Sequence, residues 1–105
     1  MKSTFNGSRA ALMLAIAAAW APAAYAQDAT TVRGMAATCA NCHGTDGRST
    51  GVVPALAGVD KGHIVAQMRD FKSGRRPSTI MQQLAKGFSD AQIEQIAAYF
   101  AAQKK

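Results

Sequence analysis

Three stretches of the chain place apolar residues at helical spacing, and nowhere do apolar and polar residues alternate for more than a few positions. Val32, Met35, Ala36 and Cys39 stand at i, i+3, i+4 and i+7 and predict a first amphipathic helix. Ile64, Val65, Met68 and Phe71 predict a second, from about Lys61 to Ser73, with Asp60 as N-cap and Gly74 beyond its end. Ser78 is placed to cap a short helical stretch through Ala85 that stops near Gly87. Ser89-Asp90-Ala91-Gln92 has the form of a capping box and opens a last helix, with Ile93, Ile96, Ala97 and Phe100 along one stripe. Between the first two helices, residues 44–54 include Gly44, Gly47, Ser49, Gly51 and Pro54 and predict an irregular loop. The expected fold class is all-α with long connections.

The N-terminal segment follows another pattern. Residues 10–26 carry no charge and are mostly apolar, behind Lys2 and Arg9 and ending in Ala24-Tyr25-Ala26. A basic start, an apolar run and a small-x-small site make up a secretory signal peptide. Residues 1–26 are therefore expected to be cleaved, leaving 27–105 as a single periplasmic domain. The run is too short for a membrane span and Pro22 interrupts it, so no span is expected in the mature chain. The alternative is an uncleaved N-terminal anchor.

Export changes what composition can mean. Losing Lys2 and Arg9 lowers the formal net charge from +6 to +4. An exported chain does not meet DNA or RNA, so nucleic acid is excluded as a partner. The basic balance serves either solubility or encounter with acidic proteins or an anionic surface. What remains of the 105 residues, without Trp20, holds little core, and domains so small often need a disulfide, metal or cofactor. The two cysteines, three apart, close too short a loop to staple a whole fold.

The chemistry lies in Cys39-Ala40-Asn41-Cys42-His43. On a helix, Cys39, Cys42 and His43 fall at i, i+3 and i+4 and project from one face. That geometry suits covalent haem attachment: the two thiols add to the haem vinyl groups and the adjacent imidazole reaches the iron. A thioredoxin-like redox pair needs a βαβ context that is missing. A zinc site would have to recruit His63 beside Cys39, Cys42 and His43, a spacing that fits no common finger. A Cys39–Cys42 disulfide is sterically awkward within a helix, although exported thiols without a cofactor tend to oxidise. Haem is the reading in which motif, export and missing core agree.

With this motif, Pro54-Ala55-Leu56-Ala57-Gly58 downstream and a closing helix ending Ala98-Tyr99-Phe100, the chain resembles a class I cytochrome c over essentially all of residues 27–105. The resemblance implies a small fold of three to four short helices wrapped around one covalently attached haem c. It also implies that the Pro54 carbonyl accepts the Nδ1–H of His43 and that Leu56 packs on the haem. The pattern places an axial methionine before the last helix, a role that falls to Met81, 38 residues after His43. Met68 is the rival; like Met35, it is explained by core packing. His63 reads as a surface residue.

A filled sixth position favours electron transfer over ligand activation. The expected function is thus a non-enzymatic single-haem carrier that exchanges one electron at a time with redox partner proteins. The stretch from Met68 through Asp90 is similar to the haem domains of the cytochrome subunit of flavocytochrome c sulfide dehydrogenase, which implies a flavoprotein partner. Many such subunits carry two Cys-x-x-Cys-His motifs, whereas this chain has one. The alternatives are a soluble shuttle to a terminal oxidase and, from another class, a haem-based sensor or gas-binding module. Lys61, Lys72, Arg75, Arg76 and Lys86 flank Met81 and form either a docking ring or ordinary solvated faces. Gly34 is expected to let the first helix cross the last closely, near Tyr99 or Phe100.

Overall fold

The computed structural model describes the backbone of residues 21–105 and the side chains of residues 28–105. Most of the expected signal peptide, residues 1–20, lies outside the described residues. The chain divides into two compact units, Met1–Thr30 and Thr31–Lys105, and the second contains the site.

The described residues form four α-helices and no strand: α1 (Ala21–His43), α2 (Lys61–Ser73), α3 (Met81–Lys86) and α4 (Asp90–Ala101), with a 3₁₀ turn at Thr45–Gly47. The expected all-α class is observed. Local chemistry explains the ends of α2 and α4. Asp60 Oδ1 accepts from the His63 N–H at 2.9 Å, and Gly74 closes α2 with its N–H on the Phe71 carbonyl. In α4, Ser89 Oγ accepts from Gln92 N while Gln92 Oε1 accepts from Ser89 N, the reciprocal pairing that a capping box requires.

Helix α3 is shorter than its sequence signal. It starts at Met81, not directly after Ser78, although Ser78 Oγ still accepts from Gln82 N at 2.9 Å. The Ile80 carbonyl takes the N–H groups of both Gln83 and Leu84, so the first helical turn is built from Ile80 onward.

The core joins Ala36 of α1, Ile64, Val65 and Met68 of α2, Ala85 of α3, and the stripe Ile93, Ile96, Ala97 and Phe100 of α4. Ala85 is completely enclosed, which lets the short α3 lie close against its neighbours. Across α2 and α4, Glu94 pairs with both Lys61 and Arg69, and Lys72 Nζ reaches Asp90 and the Phe88 carbonyl. Exposed pairs of this kind add little stability individually, so the apolar stripe carries the packing.

The expectation for Gly34 is corrected. Gly34 is exposed, and a Cβ built there meets nothing within 4 Å. The small residue of α1 that enters the core is Ala36. Two residues correspond to about 200° of helical rotation, so Gly34 and Ala36 face opposite ways.

Candidate functional site

Cys39, Cys42 and His43 occupy the last turn of α1. Cys39 is half-buried against the core and Cys42 is exposed; both thiols are free. Burial pushes the Cys39 thiol above its ordinary range, with a hydrogen bond to Thr38 opposing.

The helix stops directly after His43 because Gly44 turns the chain with φ 84°. A Cβ there would stand 2.8 Å from the backbone of Arg48 and Ser49. The chain then folds back on itself: Gly47 N donates to the Gly44 carbonyl, and the Gly47 carbonyl accepts from both Leu56 N and Ala57 N, at 2.8 and 3.1 Å. Those bonds return residues 54–57 across the end of α1. The result is a 2.6 Å contact between His43 Nδ1 and the Pro54 carbonyl. A carbonyl only accepts, so Nδ1 carries the proton and a neutral imidazole keeps its lone pair on Nε2. The ring is thereby oriented and made a stronger donor toward a metal. Leu56 is half-buried beside the same core.

The methionines separate by environment. Met68 is 9% exposed and belongs to the core. Met81, the first residue of α3, only partly packs against it, as does Met35. His63 is exposed at the start of α2. Among the described residues, no group of three His, Cys, Asp or Glu side chains is gathered as it would be to hold a bare metal ion.

The residues fit a haem on one further observation. Val52 is fully exposed, Val53 is 37% exposed, and Ile80 and Leu84 are about half exposed, at 54% and 46%. These apolar side chains lie in the segment leading to Pro54 and beside Met81, where a large apolar group would cover them.

The cationic segments are less free than their spacing suggests. Besides the pairs of Lys61 and Lys72, Arg75 binds Asp70 at 2.6 Å and the Arg76 guanidinium sits 5.0 Å from the centre of the Phe71 ring. Lys61, Lys72, Arg75 and Arg76 thus each have a partner within the chain.

Sequence reasoning missed one cluster. Tyr99 Oη donates to Asp46 Oδ1 at 2.9 Å, and Asp46 Oδ2 pairs with Arg48. The partners are 53 residues apart, so no local spacing reveals them. The bond to Asp46 raises the Tyr99 phenol above its ordinary range; burial and the Asp46 charge add to this, and Arg33 and Arg48 oppose it. A raised folded-state pKa means the stabilisation is complete below the ordinary tyrosine value and is lost as pH rises through the folded one. Thermal melts of the wild type should therefore lose stability above about pH 10 more steeply than those of Tyr99→Phe. Parallel alkaline curves would sink that expectation.

Comparison with known proteins gives consistent matches. A family model described as cytochrome c oxidase, cbb3-type, subunit III, matches residues 26–100. The cytochrome subunit of sulfide dehydrogenase from Chlorobaculum tepidum is 44% identical over 66 residues, covering 63% of this chain and 60% of that protein. Cytochrome c-554(548) from Halomonas halodenitrificans is 32% identical over 83 residues, 75% of this chain and 100% of its own length. A solved cytochrome c4 of Acidithiobacillus ferrooxidans superposes with a TM-score of 0.59 at 42% identity, over 61% of this chain and 38% of that one.

Proposed function

Because this chain belongs to the cytochrome c family, with the class I fold and covalently attached haem c, we propose that it is a periplasmic carrier of single electrons. In this reading Cys39 and Cys42 would hold the haem as thioethers, and His43 Nε2 and Met81 would be the ligands of its iron. The bound haem supplies a ferric/ferrous couple. Pro54 strengthens His43 as a donor through the 2.6 Å bond, the observation that carries this reading. A thioether from Met81 raises the potential relative to a second imidazole and closes the sixth position to exogenous ligands. Leu56 packs on the haem from the loop that also presents Pro54.

Absorption spectra of protein matured with haem-attachment machinery test this. A low-spin c-type spectrum with the weak red band of methionine–ferric ligation is expected, together with resistance of the ferrous form to carbon monoxide. A high-spin spectrum with rapid carbon monoxide binding would transfer the assignment to a sensor or gas-binding module.

The proposed physiological donor is a flavoprotein sulfide dehydrogenase, supported by the similarity to the Chlorobaculum tepidum subunit. The chain spans 60% of that relative's length, so the proposal concerns the haem domain and its electron entry. A second reading, acceptor for a thiosulfate-oxidising enzyme, is favoured by 41% identity over 76 residues to a thiosulfate dehydrogenase electron acceptor from Stutzerimonas stutzeri. Stopped-flow reduction by each purified dehydrogenase separates the two. Export rests on the segment from Lys2 to Ala26, removed as a signal peptide to leave residues 27–105. No helix among the described residues is long and apolar enough to cross a membrane.

A further inference from the structure

Asp46 is the only described non-glycine residue with a left-handed backbone, at φ 52°. Asp tolerates that region better than most residues, but a side chain there needs support from its surroundings. Asp46 has it on both carboxylate oxygens. Oδ1 accepts from Tyr99 Oη of α4 at 2.9 Å, and Oδ2 pairs with Arg48, whose Nε donates to the Lys104 carbonyl at 2.9 Å. The loop after His43 is therefore tied twice to the C-terminal part of the chain.

The next residue passes that restraint on. Gly47 is buried, and a Cβ there would stand 2.8 Å from the Phe100 ring and 2.9 Å from Leu56 Cβ. It sits between α4 and the returning loop with no room for a side chain. Its carbonyl holds Leu56 N and Ala57 N, two and three residues after Pro54. Displacing Asp46 relative to α4 thus moves the anchor from which the Pro54 carbonyl is presented to His43. A 2.6 Å hydrogen bond weakens steeply with such movement.

We propose that Asp46 and Tyr99 are positioning residues, a latch between the loop and the C-terminal helix that keeps the Pro54 carbonyl on His43 and so sets the reduction potential of the iron from outside its ligands. The inference rests on His43 being the proximal ligand. A weaker bond to Pro54 leaves the imidazole a poorer donor, which destabilises the ferric state and raises the potential.

The test compares the wild-type holoprotein with Tyr99→Phe, which removes the hydroxyl without changing charge, and with Ser89→Ala, which removes a helix cap away from the latch. Tyr99→Phe should raise the midpoint potential, increasing the ferrous-to-ferric ratio about threefold at a fixed ambient potential, and should shift the ferric His43 ring resonances. Ser89→Ala should lower the denaturation midpoint and leave both readouts unchanged. A Tyr99→Phe protein that is merely less stable, with wild-type potential and ring shifts, overturns the latch. If Tyr99→Phe does not fold, Asp46→Gly, which suits the left-handed backbone and removes the acceptor of the Tyr99 hydroxyl, is read by the same ring shifts, with unchanged shifts again overturning the latch. Failure of the underlying ligand assignment is distinguishable, because the wild-type spectrum would then lack histidine ligation before any variant is compared.

Discussion

Replacing Cys39 and Cys42 together with alanine should abolish covalent haem retention, so that acidified solvent extracts all pigment, and should leave a chain unable to hold its native helicity at room temperature. Among the described residues the core cluster holds nine buried residues, of which Phe100 and Ile93 are the largest fully buried side chains. A core of this scale rarely supplies more than about 3–5 kcal/mol, and Val52, Val53, Ile80 and Leu84 leave further apolar area outside it. Losing the covalent tie turns a permanent part of the fold into a ligand whose stabilising effect depends on its free concentration. The check is circular dichroism of the double variant with denaturant titration. Unchanged helicity and midpoint would mean that the polypeptide core suffices and that the haem is not structural.

The second large effect is at Met81. Met81→Ala should open the sixth coordination position: the ferrous protein gains rapid carbon monoxide binding, the methionine–ferric band disappears and the midpoint potential falls. Stability should change little by comparison, because Met81 is only half-buried at the start of a six-residue helix. Met68→Ala should do the opposite. It empties a core position, costing about 2–5 kcal/mol, and keeps a low-spin spectrum. Spectra and denaturation curves of the two variants together separate ligand from core. The reversed pattern would make Met68 the ligand and Met81 a packing residue.

Helix ends defined by short-range hydrogen bonds were readable before any fold was known. Asp60 caps His63 and Ser89 pairs with Gln92 at three-residue separations, and these bonds form wherever the helix forms. The same applies to the stripe of α4, since one buried face needs only the helical period. Ser78 misled because a serine oxygen can accept one N–H of the first turn without standing at its N-cap, and the preceding backbone remained bent as far as Ile80. Gly34 misled because smallness alone does not say which face of α1 meets a neighbour. The partners of the cations, Glu94, Asp90 and Asp70, were not readable because they are assigned by packing and not by order in the chain.

The sequence by itself determined the helical class and displayed the motif Cys39-x-x-Cys42-His43, because helical amphipathicity and the attachment pattern are written in spacings of a few residues, whereas Met81 became a candidate only through the resemblance to class I cytochromes c. Only the tertiary structure decided which methionine the core absorbs, how the Gly47 carbonyl returns Pro54 to His43 at 2.6 Å, and that Asp46 meets Tyr99 from 53 residues away. Those contacts depend on how turns bring distant backbone together, and no local pattern encodes the distance between groups that meet only after the chain has closed.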